Sequence, residues 1–79
     1  MSVIEDLADK LAADAIEAAE AMDDDKLIMD IANLMGSSSQ ITEEAFLSAV
    51  RGRMAAKRGR EMLNQRIAAF EAKLNNRQS

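Results

Sequence analysis

The sequence predicts an all-α protein that forms one domain over residues 1–79, with two helices packing on a long third helix. Two observations support this class. There is no proline and only three glycines, and the remaining composition favours residues with high helix propensity. The apolar residues also recur with the 3.6-residue period of amphipathic helices in three separate segments.

The first helix is predicted over residues 3–22. Ser2 followed by Glu5 matches a capping box, in which two side chains satisfy free amides at a helix start. A shallow apolar stripe follows the helical period. Its members are Ile4, Leu7, Ala8, Leu11, Ala15, Ala18, Ala19 and Met22.

The second helix is predicted over about residues 25–35, after an acidic turn. One of Asp23, Asp24 and Asp25 is expected to cap its N-terminus, and Gly36 to end it in the left-handed conformation. A divalent-cation site formed by these aspartates with Asp30 is the less favoured interpretation, because calcium loops alternate their ligands and include a glycine. The apolar stripe of this helix consists of Leu27, Ile28, Ile31, Leu34 and Met35.

The third helix is predicted over about residues 43–75, which is about 50 Å long. Thr42 is expected to be its N-cap, and Ile41 to pack on Phe46 as a hydrophobic staple. In its first half, one apolar face is expected to cover helix 2 in an antiparallel hairpin. That face consists of Phe46, Leu47, Val50 and Met54.

The second half of helix 3 carries a different apolar face, which we call the seam. It consists of Leu63, Ile67, Phe70 and Leu74, spaced by four, three and four residues as in a heptad pattern. Towards the N-terminus the same line continues through small residues, which permit close approach of another helix. These are Gly59, Ala56, Gly52 and Ala49.

Two arrangements could cover the seam. Helix 1 could lie back on it in a closed monomer, or two copies could pair through helix 3. The alanine-rich stripe of helix 1 offers little bulk to bury, so the sequence favours the homodimer. A chain this short without cysteine or histidine also lacks the disulfides and metal ligands that stabilise many small domains.

Charge is divided unevenly along the chain. Residues 1–44 hold 12 acidic residues and two lysines, whereas residues 45–79 hold eight basic and two acidic residues. The basic residues concentrate in the repeated Arg-Gly-Arg of residues 51–53 and 58–60, with Lys57 between them. Three interpretations remain open for Arg51, Arg53, Lys57, Arg58 and Arg60: neutralising helices 1 and 2, binding an acidic protein, or binding nucleic acid. The first is favoured, and nucleic acid is the least favoured, because the whole chain is acidic and has no Tyr, Trp or clustered Phe on which bases could stack.

The sequence predicts a binding protein and not an enzyme. There is no His, Cys or Tyr, the carboxylates are expected on solvated faces where nothing would raise a pKa, and the serines at 37–39 have no base to activate them. No cofactor is expected. We expect a regulator, adaptor or assembly chaperone that recognises a protein, either a second copy or another chain. The predicted contacts are Leu63, Ile67, Phe70, Leu74, Arg53, Lys57 and Arg60.

Two other functions are kept as alternatives. One is a nucleic-acid-binding accessory that uses residues 51–60, and the other is an inhibitor whose acidic N-terminal half occupies a basic surface. No secretory signal or membrane span is recognisable, so the expected location is the cytoplasm, with neither a membrane nor a small-molecule partner.

Overall fold

The computed structural model describes the backbone of residues 2–78 and the side chains of residues 2–77. It contains three helices and no strand in that range: α1 is Val3–Met22, α2 is Leu27–Gly36 and α3 is Gln40–Gln78. The all-α class is therefore confirmed. The helices of residues 2–78 are too short or too polar to cross a lipid bilayer.

The first helix begins and ends through local hydrogen bonds. The Ser2 hydroxyl oxygen accepts a hydrogen bond from the Glu5 amide at 3.1 Å, as the capping box predicts. At the other end Asp23 adopts the left-handed conformation with φ of 52°, and the Asp24 amide donates to the Ala19 carbonyl at 2.9 Å. This is the pattern of a Schellman motif, formed here by aspartate instead of glycine.

The predicted ends of α2 are wrong in their details. No side chain caps its N-terminus at Lys26, because the Asp24 carboxylate instead accepts a hydrogen bond from the Lys26 amide within the turn. Gly36 is the last helical residue and does not have a positive φ. The chain leaves α2 through Ser37, which stays in the right-handed region, so glycine's conformational freedom is not used there.

The third helix starts earlier than predicted. Ser39, and not Thr42, is the capping residue, since its hydroxyl oxygen accepts hydrogen bonds from the Thr42 amide at 3.2 Å and the Thr42 hydroxyl at 2.9 Å. Ile41 therefore lies inside the helix, 74% exposed, and the staple with Phe46 does not form. The helix is about 58 Å long, close to the 62 Å length of the whole molecule.

The core is small and is made mostly of alanine. The Cα atoms of the molecule span only 13 Å in its thinnest direction, so few positions are fully enclosed. Phe46 is the largest fully buried side chain. The buried residues are Ala8, Ala12, Ala15, Ala32, Phe46 and Val50.

Ala8 and Ala15 of the predicted stripe are buried, but the buried side of α1 is rotated by roughly 50° from the centre of that stripe, taking 100° per residue. Leu7 is 63% exposed and Leu11 37%, whereas Ala12, absent from that stripe, is fully buried. Alanines permit closer helix packing than leucines would, so α1 rests on its small residues. In α2, Ala32 is likewise buried while Leu34, a predicted core residue, is 74% exposed.

The two shorter helices cover only the first part of α3. The N-terminal end of α1 lies beside residues 41–49, and its later part lies beside residues 50–57 through ion pairs and packing. Beyond Lys57, all residues through Arg77 are exposed. We call α1, α2 and residues 40–57 the bundle, and residues 58–77 the projecting segment.

Candidate protein-binding site

The four residues of the seam lie on the projecting segment with no helix of the described chain over them. Leu63 and Ile67 are each 47% exposed, Phe70 is 62% exposed and Leu74 is 40% exposed. Their spacing places them on one side of α3, so they form a continuous apolar strip. The structure therefore leaves the seam open, and α1 does not fold back over it.

The seam and the packed face of α3 point in different directions. Phe46 and Val50 face α1 and α2 and are 0% and 6% exposed. Taking 100° per residue, the seam is rotated by roughly 110° from these two side chains. Even if α1 or α2 were longer and kept to the same side of α3, it would therefore not cover the seam.

Two of the predicted binding residues are engaged within the chain. Arg53 donates to both carboxylate oxygens of Asp9, through Nε at 2.8 Å and Nη2 at 2.7 Å. Lys57 donates to the Glu20 carboxylate at 3.0 Å. Both pairs join α3 to α1, as expected if these basic residues neutralise the acidic half of the same molecule.

These contacts shift the pKa values of the groups that form them. The hydrogen bond from Arg53, together with its charge, lowers the pKa of Asp9 below its ordinary value of 3.8. Hydrogen bonds to Asp9 and to Glu20 raise the pKa values of Arg53 and Lys57, respectively. All these side chains are about half exposed, so the pairs are surface contacts that orient α1 more than they stabilise it.

The other three basic residues of the Arg-Gly-Arg repeats point into solvent. Arg51, Arg58 and Arg60 are exposed, and none of them forms an ion pair in the described part of the chain. Of the five basic residues considered for nucleic-acid binding, Arg53 and Lys57 are therefore already paired with acidic residues of α1, and three remain unpaired within the described residues. Arg60 remains available next to the seam.

The glycines of the repeats have open surroundings. A Cβ atom added at Gly52 or at Gly59 would have no neighbour within 4 Å. No other part of the described chain therefore requires glycine at either position. Only an external helix would use the close approach that these residues permit.

A groove at the N-terminal end of the bundle is not predicted by any pattern in the sequence. It has a volume of about 630 Å³, and its apolar lining consists of Ala45 and Ala49 of α3 with the exposed side chains of Ile4 and Ile41. The apolar period of α1 predicts that Ile4 is buried, but in the structure it is 42% exposed and lines the groove. The sequence pattern therefore gave no sign of this groove. The lining residues are Ser2, Ile4, Glu5, Asp9, Ile41, Glu44, Ala45, Ser48 and Ala49.

The acidic turn gives no metal centre among residues 2–78, where no three potential ligands converge. No family model, curated protein or solved structure matches this chain. The candidate site is therefore defined by its own geometry: an open apolar seam, flanking basic residues and a separate apolar groove with an acidic rim.

Proposed function

We propose that this protein is a non-enzymatic protein–protein interaction module that binds another polypeptide through the seam on its projecting segment. The observation that carries the proposal is the exposure of Leu63, Ile67, Phe70 and Leu74 along one side of a helix that nothing else in the described chain covers. Contiguous apolar patches of this kind mark interaction surfaces in water-soluble domains.

The distribution of large apolar side chains supports this function. Among the described residues, Phe46 and Val50 are the only large hydrophobic side chains that are buried, whereas fourteen are exposed by 37% or more. Burial of apolar area contributes about 25 cal/mol per Å², so a partner that covered these exposed side chains would gain binding free energy from them.

The charged groups support binding over catalysis. No polar or charged side chain is buried among residues 2–77, and the groups with shifted pKa values are members of the exposed pairs joining α1 to α3. Catalytic groups usually have their pKa values shifted by burial within a cleft. The proposed setting is the cytoplasm, since the sequence has no cysteine for the disulfides of small secreted domains.

Site-specific photo-crosslinking tests the proposal in the cells that naturally make the protein. A photoreactive phenylalanine analogue placed at Phe70 should yield a crosslinked product with a protein. The same analogue at Gln65, on the side of α3 opposite the seam, should yield little. Equal crosslinking from the two positions, or none from Phe70, would contradict a binding role for the seam.

A paired substitution separates binding from folding. Ile67→Asp with Phe70→Asp should abolish the association made through the seam, and the matched control Ala68→Asp with Ala72→Asp should preserve it with the same change in charge. Because all four residues are exposed, circular dichroism should show a folded bundle in both variants. Retained association in the seam variant would refute the proposal.

A further inference from the structure

We propose that the partner of the seam is a second copy of this chain, bound antiparallel, so that the seam of each copy lies on residues 45–56 of the other and ends in the other's groove. This inference rests on the proposed function, since it names the partner of the same seam. It adds a receptor surface and a direction, which the exposed seam does not supply by itself.

The spacing of residues along α3 supports the antiparallel direction. The seam residues are separated by four, three and four residues, and four small residues earlier in the helix have the same separations. In a symmetric parallel pair each residue would meet its own copy, so only the antiparallel direction brings the large set onto the small set. When one α3 is reversed against another, each large residue meets a small one. The four pairs are Leu63 with Ala56, Ile67 with Gly52, Phe70 with Ala49, and Leu74 with Ala45.

This pairing keeps the distance between the two helices uniform. Interhelical distance follows the size of the side chains at the contact, and good packing alternates large and small residues across an interface. A parallel pair would instead place Phe70 against Phe70 at one end and Gly52 against Gly52 at the other. The two helices would then have to lie close together at the glycines and farther apart at the phenylalanines, which two straight parallel helices cannot do.

The receptor surface is present and open in the structure. A Cβ atom added at Gly52 would meet no other atom within 4 Å, and Ala56 is exposed. Ala45 and Ala49 line the groove together with Ile4 and Ile41, and both alanines are partly buried against the core. The C-terminal end of the seam, formed by Phe70 and Leu74, would therefore enter an apolar depression instead of resting on a flat helix surface.

Charge complementarity favours the same arrangement. The groove is lined by Glu5 and Glu44, which form no ion pair within the described residues, and by Asp9, which is already paired with Arg53. The projecting segment holds five basic and two acidic residues. In the antiparallel register Lys73 and Arg77 lie on either side of the level of Glu44. A parallel pair would bring the two acidic bundles together at one end, at an electrostatic cost.

Cysteine crosslinking tests the direction, because the natural sequence has no cysteine to interfere. Disulfides form only when Cα atoms are within about 7 Å. A mixture of Ala45→Cys and Leu74→Cys chains should give a mixed disulfide dimer under mild oxidation, while Leu74→Cys alone should give little, since its two copies would be about 44 Å apart along the helix. Efficient crosslinking of Leu74→Cys with itself would overturn the antiparallel arrangement.

Complementary size changes test the receptor residues. Gly52→Leu should remain folded, because its surroundings in the monomer are open, yet weaken self-association at least about tenfold. Ile67→Ala should weaken it similarly. A 1:1 mixture of the two variants should recover dimers near the original affinity, because the enlarged residue of one copy meets the reduced residue of the other.

Sedimentation equilibrium with interference detection separates failure of this inference from failure of the proposed function. If the natural chain remains monomeric at millimolar concentration while the Phe70 photo-crosslinker captures a different protein, the second copy is refuted and the interaction module stands. If the Phe70 position captures nothing and the chain is monomeric, both fail. A dimer that Gly52→Leu leaves unchanged would refute the receptor surface.

Discussion

Residues 40–57 and residues 58–77 belong to one continuous helix but have different surroundings. The first part buries Phe46 and Val50 against α1 and α2, and the second part has no buried residue. The difference follows from length, since α1 covers about 30 Å while α3 extends about 58 Å. Apolar residues in the two parts therefore differ in their surroundings: Phe46 and Val50 are buried in the core of the monomer, whereas those of the second part are exposed, as the proposed binding site requires.

The two phenylalanines give the largest expected contrast. Phe46→Ala should destabilise the monomer by about 3–5 kcal/mol, because it removes a fully buried side chain. This loss is a large part of the roughly 4–12 kcal/mol of unfolding free energy expected for a domain of this length. Phe70→Ala, at a position 62% exposed, should change it by less than about 0.5 kcal/mol. Urea denaturation followed by circular dichroism at low protein concentration measures both.

A milder substitution keeps this comparison useful if Phe46→Ala does not fold. Phe46→Leu should retain the fold and still lower stability more than Phe70→Leu does. Equal effects at the two positions would mean that the projecting segment is packed in solution, contrary to the structure.

Alanines should show the same contrast with a smaller effect. Ala12→Leu and Ala32→Leu place three extra carbon atoms at fully buried positions, and overpacking of this kind costs about 1–3 kcal/mol. Ala72→Leu, on the exposed projecting segment, should be within about 0.5 kcal/mol of the natural protein. Thermal denaturation distinguishes them, and a tolerated Ala12→Leu would argue against close packing of α1 on α3.

Replacing glycine by alanine should change stability by different amounts in the projecting segment and in the bundle, with a smaller difference than the substitutions above. Gly59→Ala should stabilise the projecting segment by about 1 kcal/mol, because its added Cβ meets nothing. Gly36→Ala should gain less, since its Cβ would lie 2.8 Å from the Glu43 carboxyl carbon, which must move. Amide hydrogen exchange at a concentration where the chain is monomeric should show slower exchange around residue 59 in Gly59→Ala and little change in the bundle.

The ion pair between Asp9 and Arg53 should give the smallest effect. Because the folded protein lowers the pKa of Asp9, the pair stabilises the fold above the unfolded-state pKa, and this contribution disappears as pH falls through the folded-state pKa. Between about pH 5 and pH 2 the natural protein should therefore lose slightly more stability than Arg53→Gln. An NMR titration should show the pKa of Asp9 rising towards 3.8 in Arg53→Gln.

Arg60→Gln is the matched control for that titration. Arg60 is exposed and forms no ion pair within the described residues, so its substitution should leave the Asp9 titration unchanged. An equal response to both substitutions would indicate a general charge effect instead of a specific pair.

The three helices, the cap at Ser2 and the two apolar faces of α3 could all be predicted from the amino-acid sequence. These features depend on residues close together in the chain: propensity, capping and the 3.6-residue period. The seam could be recognised for the same reason, since Leu63, Ile67, Phe70 and Leu74 lie on one helix.

The buried side of each helix and the pairing of charges depend on the tertiary structure. The apolar period of α1 predicts a buried face that includes Leu7. In the structure Leu7 is exposed and Ala12 is buried, because a small side chain lets α1 approach α3 closely. Arg53 meets Asp9 across 44 positions of sequence, and the groove forms between residues similarly far apart. Such contacts depend on how whole helices are placed relative to each other, which no local pattern specifies.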